Sequence, residues 1–166
     1  MPIEVFVADE QSDQPVDVAR WCELAERLLA DRRLGEDVEL NVLFVDEESM
    51  ASLNRRFLSR EGPTDVLSFP IEDEVSVSPP NQSLCGPGRR QETDPPLLLG
   101  DVVICPAVAA RNAPAHAGTY DDELALLLVH GILHLMGMDH EDDEEAARME
   151  SLEQELLGRH HRGALA

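Results

Sequence analysis

Three histidines, His130, His134 and His140, fall within the run LLVHGILHLMGMDH, Leu127–His140. Imidazole nitrogens are ligands for zinc and related ions, and the spacing here is that of a metal site. His130 and His134 are four residues apart. On a helix they share one face, about a turn from each other, and can converge on one ion. Gly137 then suits the end of that helix, because glycine accepts the left-handed conformation at little cost. The chain turns there and brings His140 back to the same point. Three neutral nitrogen ligands with an open position form the pattern of a catalytic zinc site and point to a hydrolase. The competing reading is a set of ordinary core histidines. It suits a single buried histidine and fits three within eleven residues poorly, in a chain with six histidines in all. An imidazole left unpaired in an apolar helix costs about 1–3 kcal/mol, and a shared metal supplies the partner.

The element that must carry these ligands is Tyr120–Met136, which reads as a helix. Asp121, Asp122 and Glu123 place negative charge in its first turn, where the helix dipole favours it. Leu124, Leu126–Leu128, Val129, Ile132, Leu133 and Leu135 make it apolar nearly all round, as in a buried central helix. The histidine spacing matches the metzincin protease pattern H-E-x-x-H-x-x-G-x-x-H with one substitution. Gly131 stands where those proteases carry the glutamate that serves as general base. That argues against a peptidase of this type, or for a different base, since a metal ion itself lowers the pKa of a coordinated water to about 7.

At 166 residues, 43% of them hydrophobic, the chain has the size of one domain with a sizeable core. No segment reaches the roughly 18–20 unbroken apolar residues of a membrane span. No cationic leader precedes an apolar stretch at the N-terminus, so no signal peptide is expected. Cys22, Cys85 and Cys105 form no CxxC pair and read as reduced thiols, with Cys22 and Cys105 in the core and Cys85 in a loop. The net charge is −21. Alone, that charge argues against a nucleic-acid partner, because phosphate contacts need cations. Every basic residue is arginine, however, and Leu53–Arg60 is locally basic, with Arg55, Arg56 and Arg60. Arginine suits bidentate phosphate contacts; the alternative for such a patch is a solvated helix face.

Alternation predicts strands at Ile3–Val7, Val38–Val45, Asp65–Phe69 and Leu97–Cys105, the last central because it is nearly all apolar. Helices are predicted at Val16–Arg33, with Val18, Trp21, Cys22, Leu24, Ala25 and Leu28 as the apolar stripe, and at Asp46–Phe57, capped by Asp46. Others are predicted from Pro106 to Arg111, at Tyr120–Met136 and at Asp142–Leu157, where Ala147, Met149, Leu152 and Leu156 are available to pack. A Pro-rich loop, 72–96, is expected to be flexible and reads either as a lid or as a surface insertion. The tail, 158–166, is expected to fray, with His160 and His161 outside the ligand set. Ser68 reads either as a pocket residue or as a strand end. Asp139 reads either as an acceptor for a ligand imidazole or as the N-cap of the last helix.

The segment HGILHLMGMDH, His130–His140, resembles the signature of the YbeY family of bacterial metal-dependent endoribonucleases, the rRNA maturation factors. Two further segments agree: GPTDVLSFP, Gly62–Pro70, and LGDVVIC, Leu99–Cys105. Leu53-Asn54 is similar to the LN of the family's second helix. These anchors cover most of the chain in the family's order. The resemblance implies an α+β fold, a small mixed four-stranded sheet packed with about five helices, in a single metallohydrolase domain over 1–166. It implies His130, His134 and His140 as ligands of one zinc ion. It also implies single-strand-specific RNA cleavage in 16S rRNA 3′-end maturation and small-subunit quality control, with ribosomal RNA and the small ribosomal subunit as partners. Many members carry an arginine five residues before the Pro-Thr pair; here that position is Leu58. Arg60 is therefore the expected catalytic guanidinium, with Arg55 and Arg56 expected to bind substrate. Two readings stand beside this one. One is a metallohydrolase of a peptide or amide, which Gly131 weighs against. The other is a ribosome assembly factor with a structural metal, whose acidic surface meets basic ribosomal proteins. The sequence does not fix the oligomeric state.

Overall fold

The computed structural model describes residues 3–31, 38–70, 97–136, 138 and 142–162. The loop 72–96, with Cys85, and the residues Gly137, Asp139 and His140 lie outside these. Four strands, β1 (Ile3–Asp9), β2 (Val38–Phe44), β3 (Val66–Pro70) and β4 (Leu97–Ile104), form one sheet in the order β1-β2-β4-β3. β1 and β4 run parallel to β2, and β3 runs antiparallel to β4 at the edge. The sheet is therefore mixed, as expected. Alternation sets its faces: Val38, Leu40, Val42 and Phe44 of β2 are buried while Glu39, Asn41 and Leu43 are half-buried.

Five helices pack on this sheet: α1 (Val18–Asp31), α2 (Glu47–Leu58), α3 (Pro106–Asn112), α4 (Tyr120–Leu135) and α5 (Asp143–Leu156). The main core joins Trp21, Leu24 and Leu28 of α1 to Leu40, Phe44, Val102 and Ile104 of the sheet and to Leu124, Leu128 and Ile132 of α4. Met149 and Leu156 of α5 close it. A smaller core on the opposite face gathers Met50 of α2, Leu67, Val103, Cys105 and Val108. Each fully buried Leu, Ile or Phe contributes about 1.5–3 kcal/mol, so α4 is held chiefly by its apolar surface. Thr119 caps it, accepting from the Asp122 N–H at 3.1 Å, and Asp46 caps α2 as expected, accepting from Ser49 at 2.8 Å. Among the described residues, no helix is long and apolar enough to cross a membrane.

Three expectations need correction. Cys22 is only half-buried, whereas Cys105 is fully buried; the apolar stripe of α1 continues instead through Leu29. The N-cap of α5 is Asp142, whose carboxylate accepts from the Glu145 N–H at 2.7 Å, not Asp139. The tail does not fray at 158: Leu157–Arg162 continues as a π-helical turn. Two remote carboxylates pin it. His160 Nε2 lies 2.5 Å from Asp31 Oδ2 and His161 Nε2 lies 2.9 Å from Asp122 Oδ1. His161 is buried beside Trp21, with ring centroids 6.1 Å apart.

Candidate metal centre

α4 lies across β3 and β4. His130 and His134 emerge on its open side into a cavity of about 630 Å³, whose wall includes Asp65, Ser68 and Arg60. The two Nε2 atoms are 3.1 Å apart. Two zinc–nitrogen bonds of about 2.0–2.1 Å meeting at a tetrahedral angle separate their nitrogens by about 3.3–3.4 Å. The pair is within a few tenths of an ångström of that spacing, so the residues fit a shared ion.

The second nitrogen of His130 is committed. Its Nδ1–H donates to Glu153 Oε2, from α5. Glu153 is buried, 7% exposed. A carboxylate on Nδ1 fixes the tautomer and turns the Nε2 lone pair toward the cavity, as is usual for metal-binding imidazoles. Glu153 was not singled out by the sequence reading. The signal was there: it sits at the apolar spacing of Met149 and Leu156, the other two buried residues of α5, where a charge is out of place unless partnered.

Gly131 has a steric reason. A Cβ at this position would lie 2.7 Å from Val102 Cγ1 and 3.2 Å from Ser68 Oγ. The helix rests flush on the sheet, and there is no room for a glutamate side chain between the two histidines. Ser68 accounts for the same close approach, donating its hydroxyl to the Gly131 carbonyl at 3.0 Å. Of the two readings of Ser68, the pocket residue holds: it lines the cavity from the middle of β3, not from its end.

The arginines separate. α2 ends at Ser59, in the left-handed region with φ 55°, and the Ser59 and Arg60 N–H groups both donate to the Asn54 carbonyl. The buried Asn54 side chain donates to the Gly62 carbonyl at 2.9 Å and holds this turn. The turn carries Arg60 to the wall of the histidine cavity, beside Leu58. Arg55 instead lines a different cavity, with Glu10 and Glu48. Arg56 lies over the Phe57 ring, its guanidinium carbon 5.2 Å from the centroid. Leu58, at the position where the resembling family often carries arginine, is 47% exposed.

Behind His130 is a second cavity of about 520 Å³, lined by Asp65, His116, Asp122, Glu150 and Glu153. His116 Nδ1 is 2.9 Å from both oxygens of Glu123, which is fully buried and also accepts from the Ala117 N–H at 3.2 Å.

A family model described as Endoribonuclease YbeY matches residues 6–161. Among curated proteins, the Endoribonuclease YbeY of Thermobifida fusca (strain YX) is 46% identical over 155 residues, 93% of this chain and 92% of that protein. The Endoribonuclease YbeY of Acidothermus cellulolyticus is also 46% identical, over 92% of this chain and 88% of its own length. The solution structure of TM1509 from Thermotoga maritima superposes with a TM-score of 0.54 at 26% identity, covering 93% of this chain and 90% of that one.

Proposed function

This chain belongs to the endoribonuclease YbeY family, and from that premise we propose that it is a zinc-dependent endoribonuclease acting on single-stranded RNA. Its place is in 3′-end maturation of 16S rRNA and in quality control of the small ribosomal subunit, in the cytoplasm. His130, His134 and His140 hold the ion.

The observation that carries the RNA reading is where the unpaired cations stand. The chain has 34 acidic and 13 basic residues. Among the described residues, Arg20, Arg27, Arg111, Arg148 and Arg159 are ion-paired. Arg55, Arg56 and Arg60 have no carboxylate partner there; all three stand at the C-terminal end of α2, and Arg60 lines the histidine cavity. In so acidic a molecule, cations left without partners suit a polyanion. The second cavity, lined by four carboxylates, repels a phosphate. The backbone of the substrate therefore enters from the Arg60 side.

In the reaction, Arg60 pairs with the scissile phosphate and offsets the negative charge that develops there. Glu153 keeps His130 in the tautomer that binds, and Ser68 holds the helix backbone between the two histidines. When bound, the ion supplies Lewis acidity at the phosphoryl group. The test is to offer the purified protein a single-stranded rRNA precursor and a casein-type substrate, with and without chelator. The expected result is RNA cleavage that chelator abolishes. Chelator-sensitive peptide cleavage with intact RNA would overturn this reading.

A further inference from the structure

The mouth of the histidine cavity carries an aromatic pair that the chemistry above does not use. Phe57, in the last turn of α2, and Phe69, on β3, meet edge to face, 5.3 Å between centroids at 66°. Both line the cavity together with His130, His134 and Arg60. Phe57 is 55% exposed. A scattered surface phenylalanine needs no explanation. This one meets Phe69 edge to face, carries the Arg56 guanidinium over one face of its ring, and is set on the wall of the cavity that both histidines line.

We propose that Phe57 is a stacking platform for one unpaired nucleobase of the RNA substrate, next to the scissile phosphate, with Arg56 taking a neighbouring phosphate. A nucleotide matches the site in both parts: a flat ring for the exposed aromatic surface and an anion for the cation beside it. Base–aromatic stacking tolerates any base, because every base has a π-face. It also selects against duplexes, in which both faces of each base are already covered by neighbours. Phe57 thereby gives the preference for single strands a physical source, and the inference rests on the RNA reading of this site.

The test compares a short oligouridine with the same backbone carrying abasic sites. Phe57→Leu should raise KM for the oligouridine about 10-fold, within the range of one base–aromatic stack, and leave KM for the abasic strand unchanged. Phe57→Tyr should restore the wild-type value. Phe57→Trp provides an independent readout, since Trp21 is buried and the only native tryptophan. Its fluorescence should be quenched by the oligouridine and not by the abasic strand. Equal weakening of both strands, or no base-dependent quenching, would overturn the stacking role while RNA cleavage by the wild-type protein stands. If the wild-type protein cleaves no RNA, the reading of the site itself falls. If Phe57→Leu loses activity altogether, the quenching by base-bearing and abasic strands decides.

Discussion

Helix α4 contributes one member to each of two histidine–carboxylate pairs, Glu123 to one and His130 to the other, and the two differ in what the second nitrogen of the imidazole meets. At the N-terminal end, the exposed His116 is held by the buried Glu123, within one stretch of chain. Further along, His130 is held by the buried Glu153, which comes from another helix. The carboxylate does the same physical work in both, fixing a ring and satisfying its own buried charge. At His130, a second imidazole one turn on points its Nε2 to within 3.1 Å of the first. At His116, the described residues show no second imidazole. A buried carboxylate orients an imidazole in both places, and only at His130 does a convergent second donor fit the pair to share an ion.

The largest effect expected from breaking this difference is at the convergent donor. His134→Ala should abolish chelator-sensitive RNA cleavage, by more than the roughly 10- to 100-fold that removal of an outer partner costs, while circular dichroism shows the fold retained. Arg60→Ala should come next, with kcat on RNA lowered about 10²-fold, as when one charge-stabilising donor is lost. Arg55→Ala, facing a different cavity, should stay within a factor of about two by the same assay. Glu153→Gln should weaken metal affinity roughly 10- to 100-fold, measured by competition with a chromogenic chelator. Glu123→Gln should leave metal affinity unchanged and lower stability by about 1–3 kcal/mol in urea unfolding. If both glutamine variants weaken metal binding alike, the comparison fails.

The smallest effect is in the pinned tail. The hydrogen bond from His160, and then the contacts from Arg159, hold the Asp31 carboxyl below its ordinary value of 3.8. A lowered folded-state pKa means that this contact stabilises above the ordinary value and is lost as pH falls through the folded one. Asp31→Asn should therefore narrow the difference in thermal stability between neutral pH and pH below 3.8, as read by calorimetry.

The strands and helices were legible because their apolar periods are clean: β2 alternates residue by residue, and α4 is apolar nearly all round. The histidine pair was legible because helix geometry alone fixes residues four apart. Features that depend on distant segments were not. Glu153 reads as one more charge in an acidic helix until α5 is laid against α4. Gly131 reads as a missing base until Val102 and Ser68 are seen to fill the space where its Cβ would stand. Arg55 and Arg60 both read as residues of one site until the left-handed Ser59 is seen to bring Arg60 to the histidine cavity while Arg55 lines another. The tail looks frayed until Asp31 and Asp122, far away in sequence, hold it.

X-ray absorption on the zinc-loaded protein tests the imidazole centre most directly. The spectrum should show a shell of imidazole nitrogens at about 2.0–2.1 Å with no sulfur near 2.3 Å, and one imidazole fewer in His134→Ala. A thiolate in the shell, or a spectrum that His134→Ala leaves unchanged, would contradict that centre.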